Sequence, residues 1–407
     1  MASNPEGKTN GADGGLAIRV VPGLSGFTRD EWQDLSGSSP DESGTPYNPF
    51  ISYDFLKIME ESGCAVRETG WQGHHLRLEQ ADGSLLGAVP CYVKSHSQGE
   101  YVFDHGWADA FERAGGRYYP KLQASVPFTP ASGPRLLVSR GRDPVATRSA
   151  LAVGLKTVAE KVGVSSAHVT FATDDDMTAL DGAGFLLRTD QQFHFINEGF
   201  ATYDDFLATL ASRKRKALKK ERREALGEGI SIHWLTGKEL TEAVWDDFFA
   251  FYTDTGQRKW GRPYLTREFF SLIGERMADD VLLVMARRAG RYIAGAINFI
   301  GSDTLFGRNW GCIEDHRFLH FEVCYHQAID FAIDRKLKVV EAGAQGEHKL
   351  ARGYRPVTTR SAHFIAHPGL RDAVSDYLER ERREVARMGE YLGEHGPFRK
   401  SEAEQDR

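Results

Sequence analysis

Between Gly343 and Tyr354 the chain gathers Gln345, Glu347, His348, Lys349, Arg352 and Tyr354 within ten residues. An amide, a carboxylate, an imidazole, two cations and a phenol at that density can bind a polar substrate, move a proton and stabilise a developing anion. The alternative is a solvated loop whose charges do nothing. The segment before the cluster leaves both readings open. The apolar run Leu337, Val339, Val340 predicts a buried strand, and Gly343 and Gly346 let the backbone turn without a Cβ penalty. A strand end, a glycine turn and dense polar groups are how α/β proteins build sites. Glu347 and Glu322 are the candidate bases for deprotonating an incoming amine, with Asp315 behind them. Each could equally serve as a capping or salt-bridge carboxylate.

A second cluster is electrostatic. From Arg213 to Arg223 there are eight Lys or Arg against one Glu, while Ala211, Leu218, Ala225 and Leu226 keep a thin apolar stripe. The pattern predicts a helix with one docked face and one cationic face, stopped at Gly227. Arg213, Lys214, Lys216, Lys219, Lys220 and Arg223, joined by Arg352, are the candidate anion-binding residues, and counterion release from a polyanion would drive the binding. tRNA, coenzyme A phosphates and a nucleotide-linked acceptor all fit such a face; a merely solvated face is the bland reading.

Other chemistries lapse. There is no GxSxG elbow and no GxxxxGK[ST] loop, which removes the serine hydrolase and P-loop readings. His316 and His320 stand i, i+4 near Glu322, but without an HExxH or carboxylate-rich context no metal site is expected. Cys64, Cys91, Cys312 and Cys324 show no metal-ligand spacing and read as reduced core residues. A net charge of -6 argues against a wholly basic nucleic-acid-binding surface, so any RNA contact must be local.

Positioning these groups takes two domains. A chain of 407 residues with 41% hydrophobic and 27% charged content exceeds what one core usually supports. No apolar run approaches a membrane span and no leader is evident, so the expectation is a cytoplasmic protein. Ile18–Val21 predicts a first strand, Thr28 a capped helix start, and Ser52–Glu61 an amphipathic helix. His74–Glu79, Ser84–Val93 and Tyr101–Asp104 predict an antiparallel meander with turns at Asp82-Gly83 and Gly99. Tyr118–Gly133 reads as an ordered loop, Pro144–Val162 as a helix and Ala167–Ala172 as a buried strand. Further helices are predicted over Thr241–Tyr252, Thr266–Met277 and Arg371–Leu392. Strands are predicted over Val281–Arg287, Tyr292–Ile300 and Thr304–Asn309. The halves echo one another: Leu85-Leu-Gly-Ala-Val-Pro-Cys-Tyr and an aromatic strand ending at Trp107 match Ile293-Ala-Gly-Ala-Ile-Asn-Phe-Ile and an aromatic strand ending at Trp310. Two similar α/β units in tandem follow.

The stretch Glu341–Pro356 resembles the strand-and-turn motif of the FemAB-like peptidoglycan biosynthesis/recognition proteins, a branch of the GNAT-type N-acyltransferases. Pro90–Asp104, Tyr118–Leu122 with Pro127–Pro130, and Leu319–Gln327 are similar to the same family. The resemblance implies an α/β (α+β) fold of two tandem GNAT-like domains, each a mixed, mainly antiparallel sheet flanked by helices. We place a disordered tail at 1–15, domain 1 at 16–199, domain 2 with the C-terminal helix at 200–396 and a second tail at 397–407. The resemblance further implies an acyltransferase and puts Lys349 at the lysine near the reacting ester, where its ammonium would meet the oxyanion. Tyr92, Lys94, His96, Tyr118, Tyr119 and Lys121 fall in matching stretches and, with Gln345 and Tyr354, are the candidate acceptor-binding residues. The Arg/Gln-x-x-Gly-x-Gly/Ala turn that holds coenzyme A pyrophosphate in ordinary GNAT enzymes is missing between Trp310 and Phe321. Fem-type enzymes also lack it and use aminoacyl-tRNA. The expected donor is therefore aminoacyl-tRNA, with no tightly bound cofactor, and the expected acceptor is an amine or hydroxylamine-type small molecule or a peptidoglycan precursor. An acyl-CoA-dependent N-acyltransferase and a non-catalytic recognition protein are the alternatives.

Overall fold

The computed structural model describes residues 9–10, 15–37, 46–227, 229–259, 263–343 and 346–399. Two compact units emerge: unit 1 is Met1–Asp190 with Thr359–Val385, and unit 2 is Gln191–Thr358 with Ala386–Arg407. This corrects the boundary expected at 199/200. The chain crosses between units inside the strands over Leu186–Ile196 and Arg355–Ile365, where no composition change marks the passage, and crosses once more inside the helix Pro368–Glu394, so that Ala386–Arg407 belong to unit 2.

Unit 1 carries, in chain order, β1 (Thr9–Asn10), β2 (Ala17–Val21), α1 (Arg29–Ser36), α2 (Tyr53–Glu61), β3 (Trp71–Gly73), β4 (His75–Glu79), β5 (Leu85–Val89), β6 (Cys91–Lys94), α3 (His105–Arg113), β7 (Lys121–Ala124), β8 (Leu137–Val138), α4 (Pro144–Val162), β9 (Ser166–Thr170) and α5 (Asp174–Gly182). Strand β10 (Leu186–Ile196) leads into unit 2, with α6 (Tyr203–Thr209), α7 (Ser212–Ala225), β11 (Ser231–Leu235), α8 (Glu242–Lys259), α9 (Arg267–Arg276), β12 (Val281–Arg288), β13 (Arg291–Ile300) and β14 (Thr304–Cys312). A helix follows whose first turn is α10 (Leu319–Phe321), whose middle is a π turn over Glu322–His326 and whose end is α11 (Gln327–Asp334). Then come β15 (Val339–Glu341), a 3-10 turn over Glu347–Arg352, β16 (Arg355–Ile365) and α12 (Pro368–Glu394).

Local chemistry explains most of these bounds. Thr28 and Glu31 form a reciprocal capping box at the start of α1, and Asp143 caps α4 ahead of Pro144. Pro90 lacks the N–H a ladder needs, so the run expected over Ser84–Val93 breaks into β5 and β6, which join different sheets. Two sheet expectations fail. Tyr101–Asp104 is not a strand, and Trp107 lies on α3. The third strand of the meander is instead β7, inside the segment read as a loop. Lys121 on β7 is fully buried and ion-paired to Glu100 and Asp104, so a charged residue points inward where an apolar alternation was sought.

Each unit repeats a strand–helix–parallel strand crossover. In unit 1, β7 pairs parallel with β9 across α4 (Leu122↔Ala167, Ala124↔Val169). In unit 2, β14 pairs parallel with β15 through Thr304↔Val339, Leu305↔Val340 and Phe306↔Glu341. Gly87 and Gly295 both sit on the second strand of an antiparallel meander, β5 and β13. The core of unit 2 runs from Phe195 and Phe206 through Val284 and Ala294 to Val323, Phe331 and Tyr354. That of unit 1 is built on Leu76, Leu122, Leu151, Leu155, Val169 and Phe364. Pro397–Arg399, placed in a tail from sequence, pair with Thr209–Ala211 of unit 2. Among the described residues no helix is long and apolar enough to cross a membrane.

Candidate active site

In unit 2 the parallel pairing of β14 with β15 ends at Phe306↔Glu341. Strand β14 runs on to Cys312, while the chain after Glu341 turns at Gly343 (φ 77°). Lys349 closes this corner. The 3-10 turn that carries it begins after Gly346 (φ 120°) and ends at Gly353 (φ 84°), where a Cβ would stand 2.5 Å from the Phe206 ring. Its ammonium reaches back to the strand end and donates to the carbonyls of Ala342 at 2.6 Å and Gly343 at 2.9 Å. Only 1% of Lys349 is exposed, which removes the reading of a surface lysine. Burial, seconded by the Arg308 cation, pulls its ammonium down to about 8 against the pull of Cys324 and Glu341. His194 faces the same group; burial, then Lys349 and Arg308, bring its imidazole down to about 4. Among the described residues two of the three Nζ donors of Lys349 are thus used, which leaves one pre-oriented N–H at the strand end.

The π turn and α7 brace this corner. Glu322 is fully buried on the π turn and accepts from Arg222 Nη2 at 2.8 Å and Gln327 Nε2 at 2.7 Å. It is the carboxylate half of an ion pair, with no room for a proton-shuttling role. Arg352, expected on the anion-binding face, is also spoken for. Its guanidinium forks onto Glu221 at 2.9 and 2.7 Å, donates to the His348 carbonyl at 2.7 Å and lies 3.4 Å over the Phe321 ring. Tyr354 is buried among core aromatics, its ring 5.7 Å from that of Tyr325. His348 is exposed and accepts from or donates to the Tyr325 hydroxyl at 2.9 Å. Gln345 lies outside the described residues, as does the side chain of Glu347.

The cationic helix forms as its spacing predicts. Leu218 and Ala225 are buried, while Arg213, Lys214, Lys216, Lys219, Lys220 and Arg223 are exposed. Lys219 meets Asp204 at 2.8 Å and Lys220 meets Glu224 at 3.5 Å. Arg213, Lys214, Lys216 and Arg223 make no ion pair among the described residues. Sequence reasoning missed the inward residues Glu221 and Arg222. The signal was present: positions 218, 221, 222 and 225 share one helical face, so the single Glu of the run had to point at the protein.

A cavity of about 330 Å³ lies after β14, lined by Trp310, Cys312, Glu314, Asp315, Phe318 and Phe321 among others; Lys349 does not line it, and Phe321 links it to the 3-10 turn by lying under Arg352. Its loop, after β14 and before the helix, is where a pyrophosphate turn would stand. Glu314 is gripped there by His316, Arg288 and Arg291, which hold its carboxyl down to about 2. Cys312 and Cys324 are only partly buried, in contrast to the core cysteines Cys64 and Cys91. Among the described residues no three His, Cys, Asp or Glu converge as metal ligands.

In unit 1 the candidate acceptor residues share one sheet face instead of an open cleft. Register places Trp71, Lys94 and Lys121 in one row and Tyr92, Gln123, His168 and His363 in the next. The opposite face carries Cys91, Leu122, Ala124, Ala167 and Val169 into the core. Tyr92, Lys94, Tyr118 and Lys121 are buried. His96 and Tyr119 are half-buried, the latter bonded to Ser97 at 2.8 Å. Lys121 bonds Glu100 at 2.7 Å and also holds Asp104, which accepts from the Tyr118 hydroxyl at 2.7 Å. Lys94 lies 3.6 Å over Trp71. Burial pulls its ammonium down to about 7 and pushes Glu100 up to about 7.

A sequence model of the FemAB-like proteins, described as peptidoglycan biosynthesis/recognition, matches residues 23–400. The chain belongs to the FemAB-like family. Its fold is also that of FemX: a crystal structure of FemX superposes with a TM-score of 0.52 at 12% identity, covering 86% of this chain and 98% of that one. L-PGS from Bacillus licheniformis aligns at 9% identity and TM-score 0.47, covering 83% of this chain and 99% of that one. A tandem GNAT protein from the clavulanic acid biosynthesis pathway aligns at 12% and 0.45, covering 87% of this chain and 99% of that one. No curated protein sequence matches the chain. For a FemAB-like chain the corner at Lys349 is the part of unit 2 where a strand end and a buried cation coincide.

Proposed function

We propose that the chain is an acyltransferase that moves an aminoacyl group from aminoacyl-tRNA to an amine or hydroxylamine-type acceptor, either a small molecule or a peptidoglycan precursor. The carrying observation is Lys349: a buried ammonium fixed by two strand-end carbonyls, on a unit that also presents the cationic face of α7. The acceptor nitrogen attacks the ester carbonyl carbon and the carbonyl pair moves onto oxygen. The third N–H of Lys349 meets that oxyanion. Collapse breaks the bond to the ribose oxygen, which takes a proton as it leaves, and the new amide bond remains. Preorganised donors of this kind lower such barriers by about 3–4 kcal/mol. Glu322 is committed to Arg222, so Glu347 is the base this reading uses. The donor is a co-substrate and no cofactor is needed.

The polyanion-facing cations supply the docking term. The loop after β14 lines its cavity with Glu314 and Asp315, which would repel a pyrophosphate, and with His316 and Arg317, which would attract one. The cavity there also favours a second reading, transfer from acyl-CoA. Filter binding of tRNA against salt, beside calorimetry of acetyl-CoA, separates them. We expect tRNA affinity to fall steeply with salt and acetyl-CoA to bind weakly. Micromolar acetyl-CoA binding with no tRNA binding would replace the donor. Stoichiometric tRNA binding with no transfer to any acceptor would make this a recognition protein.

A further inference from the structure

Helix α7 faces two ways, and its inner face is wired to the Lys349 turn. Glu221 accepts at once from Arg352 (2.9 and 2.7 Å) and from His326 Nε2 at 2.8 Å. Arg352 in turn donates to the carbonyl of His348, the residue before Lys349, and covers Phe321. His326 sits fully buried at the end of the π turn and shares its Nδ1 with the Tyr203 hydroxyl at 2.6 Å. The next residue, Arg222, bonds Glu322 at the start of the same π turn and Asp330 at 2.6 Å. Two adjacent side chains of one helix therefore grip both ends of the π turn and the 3-10 turn. Lys219 and Lys220, immediately before them, face out.

We propose that Glu221 is a positioning residue that couples a polyanion on the outer face of α7 to the placement of the Lys349 ammonium. This rests on the donor reading above. A charged bidentate pair holds geometry as well as energy, and Lys349 is useful only while its ammonium stays on the strand end. Burial resists ionisation of Glu221, but hydrogen bonds from His326 and Arg352 outweigh it and hold the carboxyl below its usual range. The linkage is thus charged at working pH. Any movement of α7 on docking a backbone of phosphates is delivered through it to the turn, because the 3-10 turn is too short to absorb it.

The test is competitive amine labelling of the full chain at pH 8, read by mass spectrometry at Lys349 with exposed Lys338 as internal standard, with and without deacylated tRNA. Without RNA, Glu221→Gln should change the Lys349 labelling rate by about threefold or more relative to Lys338. An unchanged rate overturns the proposal whatever the donor. With tRNA, wild type should shift its Lys349 labelling, while Glu221→Gln binds tRNA within about twofold of wild type yet shows no shift. An equal shift in both also overturns it. Wild type that binds no tRNA would retire the donor reading and overturn the coupling, and the RNA-free comparison would then decide separately whether Glu221 positions Lys349. If Glu221→Gln does not fold, Arg352→Lys carries the same test, since lysine keeps the charge and loses the fork.

Discussion

At Lys349 a charge is held where water is excluded, and its consequence is a pH profile. The ammonium sits at about 8, so the form that can meet an oxyanion is present below that pH and lost above it. The alkaline limb of the transfer step should fall as pH rises through about 8, whereas a solvated lysine would place that limb near its ordinary value above 10. Stability follows the opposite course. The unfolded chain binds more protons than the folded one between about 8 and the ordinary lysine value of 10.5, so stability should rise with pH across that window. Urea unfolding at stepped pH should show the rise in wild type and a smaller one in Lys349→Met. Lys94, at about 7, contributes a similar slope that begins lower and persists in that variant.

For the elements, the cationic face of α7 and the buried faces of the sheets lead to separate predictions. Charge reversal at Lys214, Lys216, Lys219 and Arg223 should abolish tRNA binding and shift the melting temperature by no more than about 2 °C, as these side chains are exposed and carry little of the fold. A drop of many degrees would show that the face is structural. How far such elements can be read from sequence depends on what dictates them. The capped α1, the proline-started α4, the amphipathic α2 and the meander over Val281–Cys312 were legible because caps and periodicity are local. Lys349 was legible only as one member of a polar cluster that follows a predicted strand and a glycine turn. The rest was set by tertiary pairing. β7 carries Lys121 and Gln123 inward, so its pattern looked like a loop until Glu100 and Asp104 were seen to neutralise it. The π turn needs one extra residue that no periodicity announces, and Arg352 looked like an anion ligand because its partner Glu221 lies 131 positions away in sequence.

Across the molecule, two units of one plan differ in what they bury behind their parallel strand pair. Unit 2 buries Lys349 against two strand-end carbonyls, whereas unit 1 seals two lysines, two carboxylates and two histidines under a single sheet face. Unit 1 therefore behaves as scaffold at that face. Lys121→Met should destabilise by about 3–5 kcal/mol, because Glu100 and Asp104 would be left buried without their cation. Denaturant titration measures this, and tRNA affinity of the folded fraction should be unchanged. A loss of under about 1 kcal/mol would mean that water reaches the cluster and that the face is open.

The central claim is that the Lys349 ammonium stabilises the transition state of acyl transfer, and single-turnover transfer from aminoacyl-tRNA to a chosen amine acceptor tests it most directly. Lys349→Met should slow the transfer step by about 10²–10³-fold while donor affinity stays within about twofold, because the lost interaction exists mainly in the transition state. Lys349→Arg should recover little of the rate, its planar fork placing charge elsewhere than a compact ammonium between two carbonyls. Transfer by Lys349→Met at the wild-type rate would contradict the account and remove the corner between β14, β15 and the 3-10 turn from catalysis.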